Sequence, residues 1–357
     1  MTLDILKTHY LLMAVKELTP PSTFLRDRYA PTNDRTDVFA TSDVLVEYKD
    51  GNKKLAPFVA PRKRGITIMR EGYEMKRYEP PYVAPMRTLT IDDLEERGFG
   101  EALYSDLTPQ DRESVMILND IDELGQMITR REEAMVAETM LNNACVMREY
   151  ADDLKTVVDE KLVKFYSESS NPATYTPTTK WGQSGAKIFD DIYAMANMLI
   201  SHGLPATDLI VAPDVAAIMI NDEDVQKFLD IRNFHVGTVE PERLPNGVSR
   251  LCVLNVYGIE ISVYVYADTY LPDGEEDLVQ FIPAGNVILT APASARTLYG
   301  AVTQLEETDR RFHTYAEKRV PKYLSDPVAN VRTITLSSRP LIVPNNKNPW
   351  ISAKVTA

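Results

Sequence analysis

Apolar residues recur at steps of three, four and seven through one part of the chain: Ile117, Ile121, Leu124, Ile128 and Met135. That spacing predicts an amphipathic helix over 111–147, with Pro109 just ahead of it and Asp111 and Glu113 in its first turn. Such a helix runs roughly 55 Å, more than a compact domain needs, and suits a spine crossing an elongated subunit. A shorter amphipathic pattern, Ile5, Leu6, His9, Leu12, Met13 and Lys16, is stopped by Pro20 and Pro21 and reads as an N-terminal arm. Between arm and spine, residues 38–85 look extended. The β-branched and aromatic run Val44-Leu45-Val46-Glu47-Tyr48 leads into the turn signal Lys49-Asp50-Gly51-Asn52, and the stretch from Tyr73 to Tyr78 alternates back. This excursion has too little apolar content for an interior of its own. A two-stranded ribbon is marginal in water, so its support is expected from another subunit.

Beyond a polar stretch at 167–180 that leads to Trp181, the pattern becomes mixed α/β. Residues 188–201 and 213–232 carry helical periodicity, and Leu209-Ile210-Val211-Ala212 is a short apolar strand. Residues 250–267 read as an antiparallel hairpin turning at Tyr257-Gly258, and 331–343 return to strand. There is no internal repeat and no sustained heptad pattern.

The 357 residues suit one elaborate domain or two to three subdomains, and 44% hydrophobic against 25% charged residues is ordinary for a globular chain. No apolar stretch approaches the ~20 residues of a bilayer helix, and the most apolar N-terminal run, 10–15, is too short for a signal-peptide core. Fifteen glycines against 23 prolines favour stiff extended segments over floppy linkers. Cys145 and Cys252 are the only cysteines, too few for a disulfide framework, and point to a reducing compartment.

A net charge of −13 argues against a protein that wraps nucleic acid. The mean hides an asymmetry, because residues 49–79 hold nine bases and four acids while 92–160 hold 19 acids and six bases. Blocks of opposite sign on one chain suit head-to-tail contact, each copy's loop lying on its neighbour. Arg62, Lys63, Arg64, Arg70, Lys76 and Arg77 are therefore expected to face acids of an adjacent subunit, drawn from Glu95, Glu96, Asp120, Glu123, Glu132 and Glu133.

Signatures of catalysis are sparse. Ser184-Gly185-Ala186-Lys187 matches a Ser-x-x-Lys pattern, but no partner motif follows it. Gly182 and Gly185 are misspaced from Lys187 for a phosphate loop, and Gly98-Phe99-Gly100 lacks the third glycine of a dinucleotide fingerprint. His9, His202, His235 and His313 are scattered, without metal-ligand spacing. The acid pairs Asp92-Asp93 and Glu132-Glu133 sit in a carboxylate-rich chain and read as solvated faces. No cofactor or metal is expected, and the chain reads as a structural protein rather than an enzyme.

A set of short segments runs in one order over nearly the whole sequence. The arm carries Phe24-Leu25-Arg26 with Tyr29 and Pro31, and Pro80-Pro81-Tyr82-Val83-Ala84-Pro85 closes the extended stretch. Trp181, Tyr257-Gly258 before an alternating strand, Pro272-Asp273-Gly274, and Ile282-Pro283 with Val287-Ile288-Leu289 follow. Leu298-Tyr299-Gly300, Val320-Pro321-Lys322-Tyr323, Asp326-Pro327 and Ser338-Arg339-Pro340-Leu341 complete it. In this order the chain resembles the major capsid protein E family of tailed bacteriophages, of which the lambda coat protein is the type.

The resemblance implies an α+β protein of the Hong Kong 97-type capsid fold. Its parts would be an N-terminal arm over 1–40, an extended β-hairpin loop over 41–85, and a peripheral domain over 86–185 built on the spine helix. An axial domain over 186–305 and a return to the peripheral domain with a C-terminal strand over 306–357 would follow. It further implies copies joining as hexamers and pentamers into an icosahedral head shell around packaged double-stranded DNA. Portal and scaffold proteins are the implied assembly partners, with a decoration protein outside, no specific nucleic-acid binding and no membrane. The implied location is the virion capsid, with the host cytoplasm during assembly. Encapsulin compartments, which enclose cargo enzymes, share the fold and form the alternative. Some relatives of the fold cross-link through a loop lysine, for which Lys63 and Lys76 are the positions here, but this family is not expected to do so.

Overall fold

The computed structural model describes residues 23–48, 74–95, 109–150, 157–165, 173–230, 237–238, 242–243, 247–307 and 309–356. Its longest element is the helix Pro109–Asn142, 34 residues spanning about 51 Å. Proline is tolerated at the first position because that N–H has no helical partner anyway. The helix stops five residues before the periodicity predicts. Asn143 leaves it in the left-handed region at φ 51°, a conformation asparagine tolerates. Ala144–Tyr150 is then a strand, paired antiparallel with Val157–Lys164. Its start is held by the Glu138 carboxylate, which accepts the Val146 N–H at 3.1 Å.

This one helix enters two interiors. Along its first half Ile117, Ile121, Leu124 and Ile128 pack on Ile334 and Leu336. Those two belong to Val331–Ser337, the middle strand of a sheet completed by Val320–Asp326 and Met86–Leu89. Along its second half Met135, Val136, Ala137 and Met140 join the main core.

The main core is built on an eight-stranded sheet. In spatial order its strands are Thr174–Tyr175, Ile351–Lys354, Asn286–Thr290, Asp208–Val211, Ile259–Tyr266, Val248–Val256 and Gly237–Thr238, and Glu242–Arg243 pairs with Val248–Val256. Asp208–Val211 is buried throughout, as the apolar run Leu209-Ile210-Val211 requires of a strand covered on both faces. The helix Ile188–Ser201 contributes Ile192, Met195, Ala196 and Leu199 to the cover, and Pro213–Asn221 contributes Val215, Ala216 and Met219. The hairpin expected over 250–267 runs from Val248 to Tyr266 and turns where Tyr257 and Gly258 both have positive φ, 49° and 94°. The helical pattern over 213–232 divides at Asp222, whose carboxylate accepts the Asp224 and Val225 N–H groups and starts a second helix, Glu223–Asp230. Near the end, Val331–Ser337 stays with the long helix, whereas Ile351–Lys354 crosses back into the large sheet beside Asn286–Thr290.

Candidate assembly surfaces

The extended segment begins and ends in a ladder. Val44–Tyr48 and Glu74–Tyr78 pair antiparallel, Val44 opposite Tyr78 and Tyr48 opposite Glu74. One face of the ladder is an anchor. Val44 and Val46 are buried against Met147, Phe165, Leu298, Leu341 and Val343, and the Tyr78 ring meets Phe165 edge-on at 5.4 Å. The other face leaves Leu45 and Met75 about half exposed, at 51% and 52%. The expectation that this excursion takes its support from another subunit is corrected for its root, which is seated in its own chain. Residues 49–73, the rest of the loop, lie outside the described residues.

Gly300 lies where both stems of the loop pass. A Cβ there would be 2.7 Å from the Ser42 carbonyl oxygen and 3.3 Å from Pro80, while the neighbouring Ala301 N–H donates to the Thr41 carbonyl at 2.9 Å. Gly300→Ala therefore forces the 41–44 stem to shift, at a cost of about 1–3 kcal/mol. A lowered thermal midpoint with faster proteolysis inside 41–85 is the expected result, and an unchanged digestion pattern would show that the stem absorbs the methyl group.

Four of the six predicted bases, Arg62, Lys63, Arg64 and Arg70, lie outside the described residues, as do Glu96 and the side chain of Glu95. Lys76 and Arg77 stand on the returning strand, where Arg77 is paired with Asp43 of its own subunit. Asp120 and Glu123 are both held by Arg87, at 2.7 and 2.6 Å. Glu132 and Glu133 correct the reading outright. They are buried, at 0% and 1% exposure, so they are neither a solvated face nor available to a neighbouring copy.

Both acids instead hold the short arm helix Phe24–Tyr29. Glu133 accepts the Leu25 and Arg26 backbone N–H groups and the Tyr266 hydroxyl, each at 2.8 Å. Glu132 accepts from the Arg26 guanidinium and the Tyr299 hydroxyl, both at 2.9 Å, with Arg319 at 3.8 Å. A second anchor lies on the large sheet, where Asp208 accepts from Arg28 at 2.7 Å and from Tyr29 at 3.0 Å. Burial raises Glu133 above the usual carboxylate range, against the pull of its three donors. Burial, with the adjacent carboxylates, pushes the Tyr266 and Tyr299 phenols well up. The signal for this cluster is in the sequence: Glu132 falls four residues after Ile128 and three before Met135, on the apolar stripe of the helix.

The remaining chemical candidates do not converge. Ser184 is exposed, Lys187 faces Asp190 at 3.5 Å on the surface, and His313 faces Asp309 at 2.7 Å. Among the described residues no group of three His, Cys, Asp or Glu is arranged to hold a metal, and no helix is long and apolar enough to cross a membrane. Cys145 and Cys252 are buried free thiols, pushed up to about 12 and about 11 by burial, and so are poor nucleophiles.

Comparison with known proteins adds the context for these surfaces. The family model for phage major capsid protein E matches residues 7–355. The P21 prophage-derived major head protein of Escherichia coli O6:H1 (strain CFT073) is 22% identical over 329 residues, covering 87% of this chain and 89% of that protein. The major capsid protein of Enterobacteria phage P21 matches to the same extent. Among solved structures, a protein assigned as the capsid protein of a prophage in E. coli CFT073 superposes with a TM-score of 0.68 at 14% identity, covering 98% of this chain and 99% of that one. A phage-related protein from Bordetella bronchiseptica RB50 superposes with a TM-score of 0.51 at 9% identity, over 98% and 97% of the two chains.

Proposed function

The chain belongs to the phage major capsid protein E family, a structural family with the Hong Kong 97-type α+β capsid fold, and from that premise we propose that its copies assemble as hexamers and pentamers into the icosahedral head of a tailed phage. The observation that carries this reading is the match across residues 7–355, joined to a loop root whose outward face leaves Leu45 and Met75 uncovered. The loop bases Arg62, Lys63, Arg64 and Arg70, with Lys76 and Arg77, meet acids of the next subunit. Because Glu132 and Glu133 are buried, Glu95 and Glu96, with Asp120 and Glu123 beside Arg87, remain as their counterparts. Exposed pairs contribute only about 0–1 kcal/mol each, so the shell depends on many such contacts acting together. The net charge of −13 suits the enclosed duplex, because an acidic wall repels phosphate and leaves packaged DNA unbound. Scaffold and portal proteins act during assembly, and a decoration protein binds outside. The encapsulin reading shares the fold but not the family.

Electron microscopy of the expressed chain, alone and with its scaffold, tests the proposal. Shells or capsomer rings are expected, and a monodisperse monomer at high concentration would contradict it. Replacing Arg62, Lys63 and Arg64 together by glutamate is expected to abolish shells while the subunit keeps its thermal midpoint. An unchanged shell yield would remove the charged loop from the contact.

A further inference from the structure

The hairpin of Ala144–Tyr150 and Val157–Lys164 has one closed edge and one open edge, and the phase of its ladder tells them apart. The Phe165 N–H donates to the Asn143 carbonyl at 3.1 Å, so residues 143 and 165 form a hydrogen-bonded pair. Alternation along the register then makes Cys145 with Val163, and Met147 with Lys161, the next such pairs. The backbone groups of Glu160, Leu162 and Lys164 consequently point away from Ala144–Tyr150. On the opposite edge the corresponding Val146 N–H is taken by Glu138 of the long helix. The outer edge of Val157–Lys164 has no strand beside it among the described residues. It is eight residues long, contains no proline, and leaves Val158 and Leu162 67% and 62% exposed. Its ladder is irregular at Val158, and from Glu160 to Lys164 the regular edge is a template for pairing with a chain whose charges match its own.

We propose that Val157–Lys164 pairs antiparallel with the same strand of a second copy across a two-fold axis centred on Leu162. The occupant follows from charge. Only residues with outward backbone groups can exchange hydrogen bonds, and in the regular part of the ladder, beyond the bulge at Val158, these are Glu160, Leu162 and Lys164. Centring on Leu162 sets it against the partner's Leu162 and sets Glu160 against the partner's Lys164, twice over by symmetry. Centring on Glu160 or on Lys164 opposes like charges, and the two intermediate registers oppose a charge to Leu162. Lys164 has no ion-pair partner among the described residues, whereas Glu160 already faces Arg148 at 3.2 Å, so the second copy completes a three-charge row. This contact deepens the shell reading and rests on it for the presence of neighbouring copies.

The test is oxidation of a Leu162→Cys variant of the full chain, with Asp159→Cys as control, read on a non-reducing denaturing gel. In the proposed register the two Cα atoms at 162 are about 5.5 Å apart, within disulfide reach, while those at 159 are about 20 Å apart. About tenfold more covalent dimer from Leu162→Cys than from the control is expected. Glu160→Lys, added to Leu162→Cys, lowers the yield, and the exchange Glu160→Lys with Lys164→Glu restores it. Leu162 is exposed, so the cysteine variant folds, and the two native thiols are buried. Electron microscopy of the same samples separates this inference from the shell reading. Shells without dimer overturn the strand pairing and leave the shell intact. Dimer without shells supports the pairing and counts against the shell, and absence of both overturns the pairing.

Discussion

Glu133→Ala is expected to lower the unfolding free energy of the subunit by about 3–5 kcal/mol, measured by denaturant titration. The carboxylate is nearly inaccessible and is the acceptor for three donors, the Leu25 and Arg26 N–H groups and the Tyr266 hydroxyl. Removing it strands all three in a buried site, at about 1–3 kcal/mol for each donor that finds no replacement. The arm helix Phe24–Tyr29 then keeps the Arg26 pair with Glu132 on the spine and the Arg28 and Tyr29 contacts to Asp208, but its backbone N–H groups lose their acceptor. A loss below about 1 kcal/mol would mean that the arm is held by the packing of Leu25 and Tyr29 and by its bonds to Glu132 and Asp208 without need of Glu133.

The same residue gives a pH dependence. Because burial raises Glu133, its contribution to stability is fully present below the unfolded carboxylate value and is lost as pH rises through the higher folded value. Glu133→Gln removes that ionisation and leaves the other carboxylates to cancel in the comparison. The variant should therefore gain on the wild type as pH is raised from acid to neutral. A movement in the opposite direction would show that the three donors outweigh burial.

The contrast between this cluster and the spine helix explains what a sequence makes legible. The step of Ile117, Ile121, Leu124 and Ile128 is a local signal, and the packing of these residues on Ile334 and Leu336 follows from it without knowing the partners. The same period could not say where the helix ends, because Ala144, Val146 and Met147 suit a strand as well, and a single asparagine with positive φ decides the exit. The acids of 92–160 form one block in charge density but not one surface. Phase along the helix, not density of charge, divides Glu132 in the interior from Asp120 and Glu123 around Arg87. The alternation of Val44 and Val46 likewise promised an inner face, but its cover comes from Leu298, Leu341 and Val343, far along the chain, and nothing local announces that meeting.

That meeting is where a single substitution has its largest effect on assembly. Val46→Asp puts a carboxylate into a site 1% exposed among the apolar side chains of Phe165, Leu298, Leu341 and Val343. Burying an unpaired polar group costs several kcal/mol at least, and the hairpin has a cheaper way out. It detaches, because a two-stranded ribbon has little stability beyond its seat. The main core contains none of the loop's described residues, so the large sheet and its helices keep their own cooperative transition. The expected outcome is a folded subunit, with its main calorimetric peak retained, that yields no shells by electron microscopy and is cut rapidly by protease within 41–85. Val46→Ile, which keeps the apolar contact, should assemble. Shells from Val46→Asp at wild-type yield would mean that the seat of the loop on its own subunit does not govern how it reaches the next one.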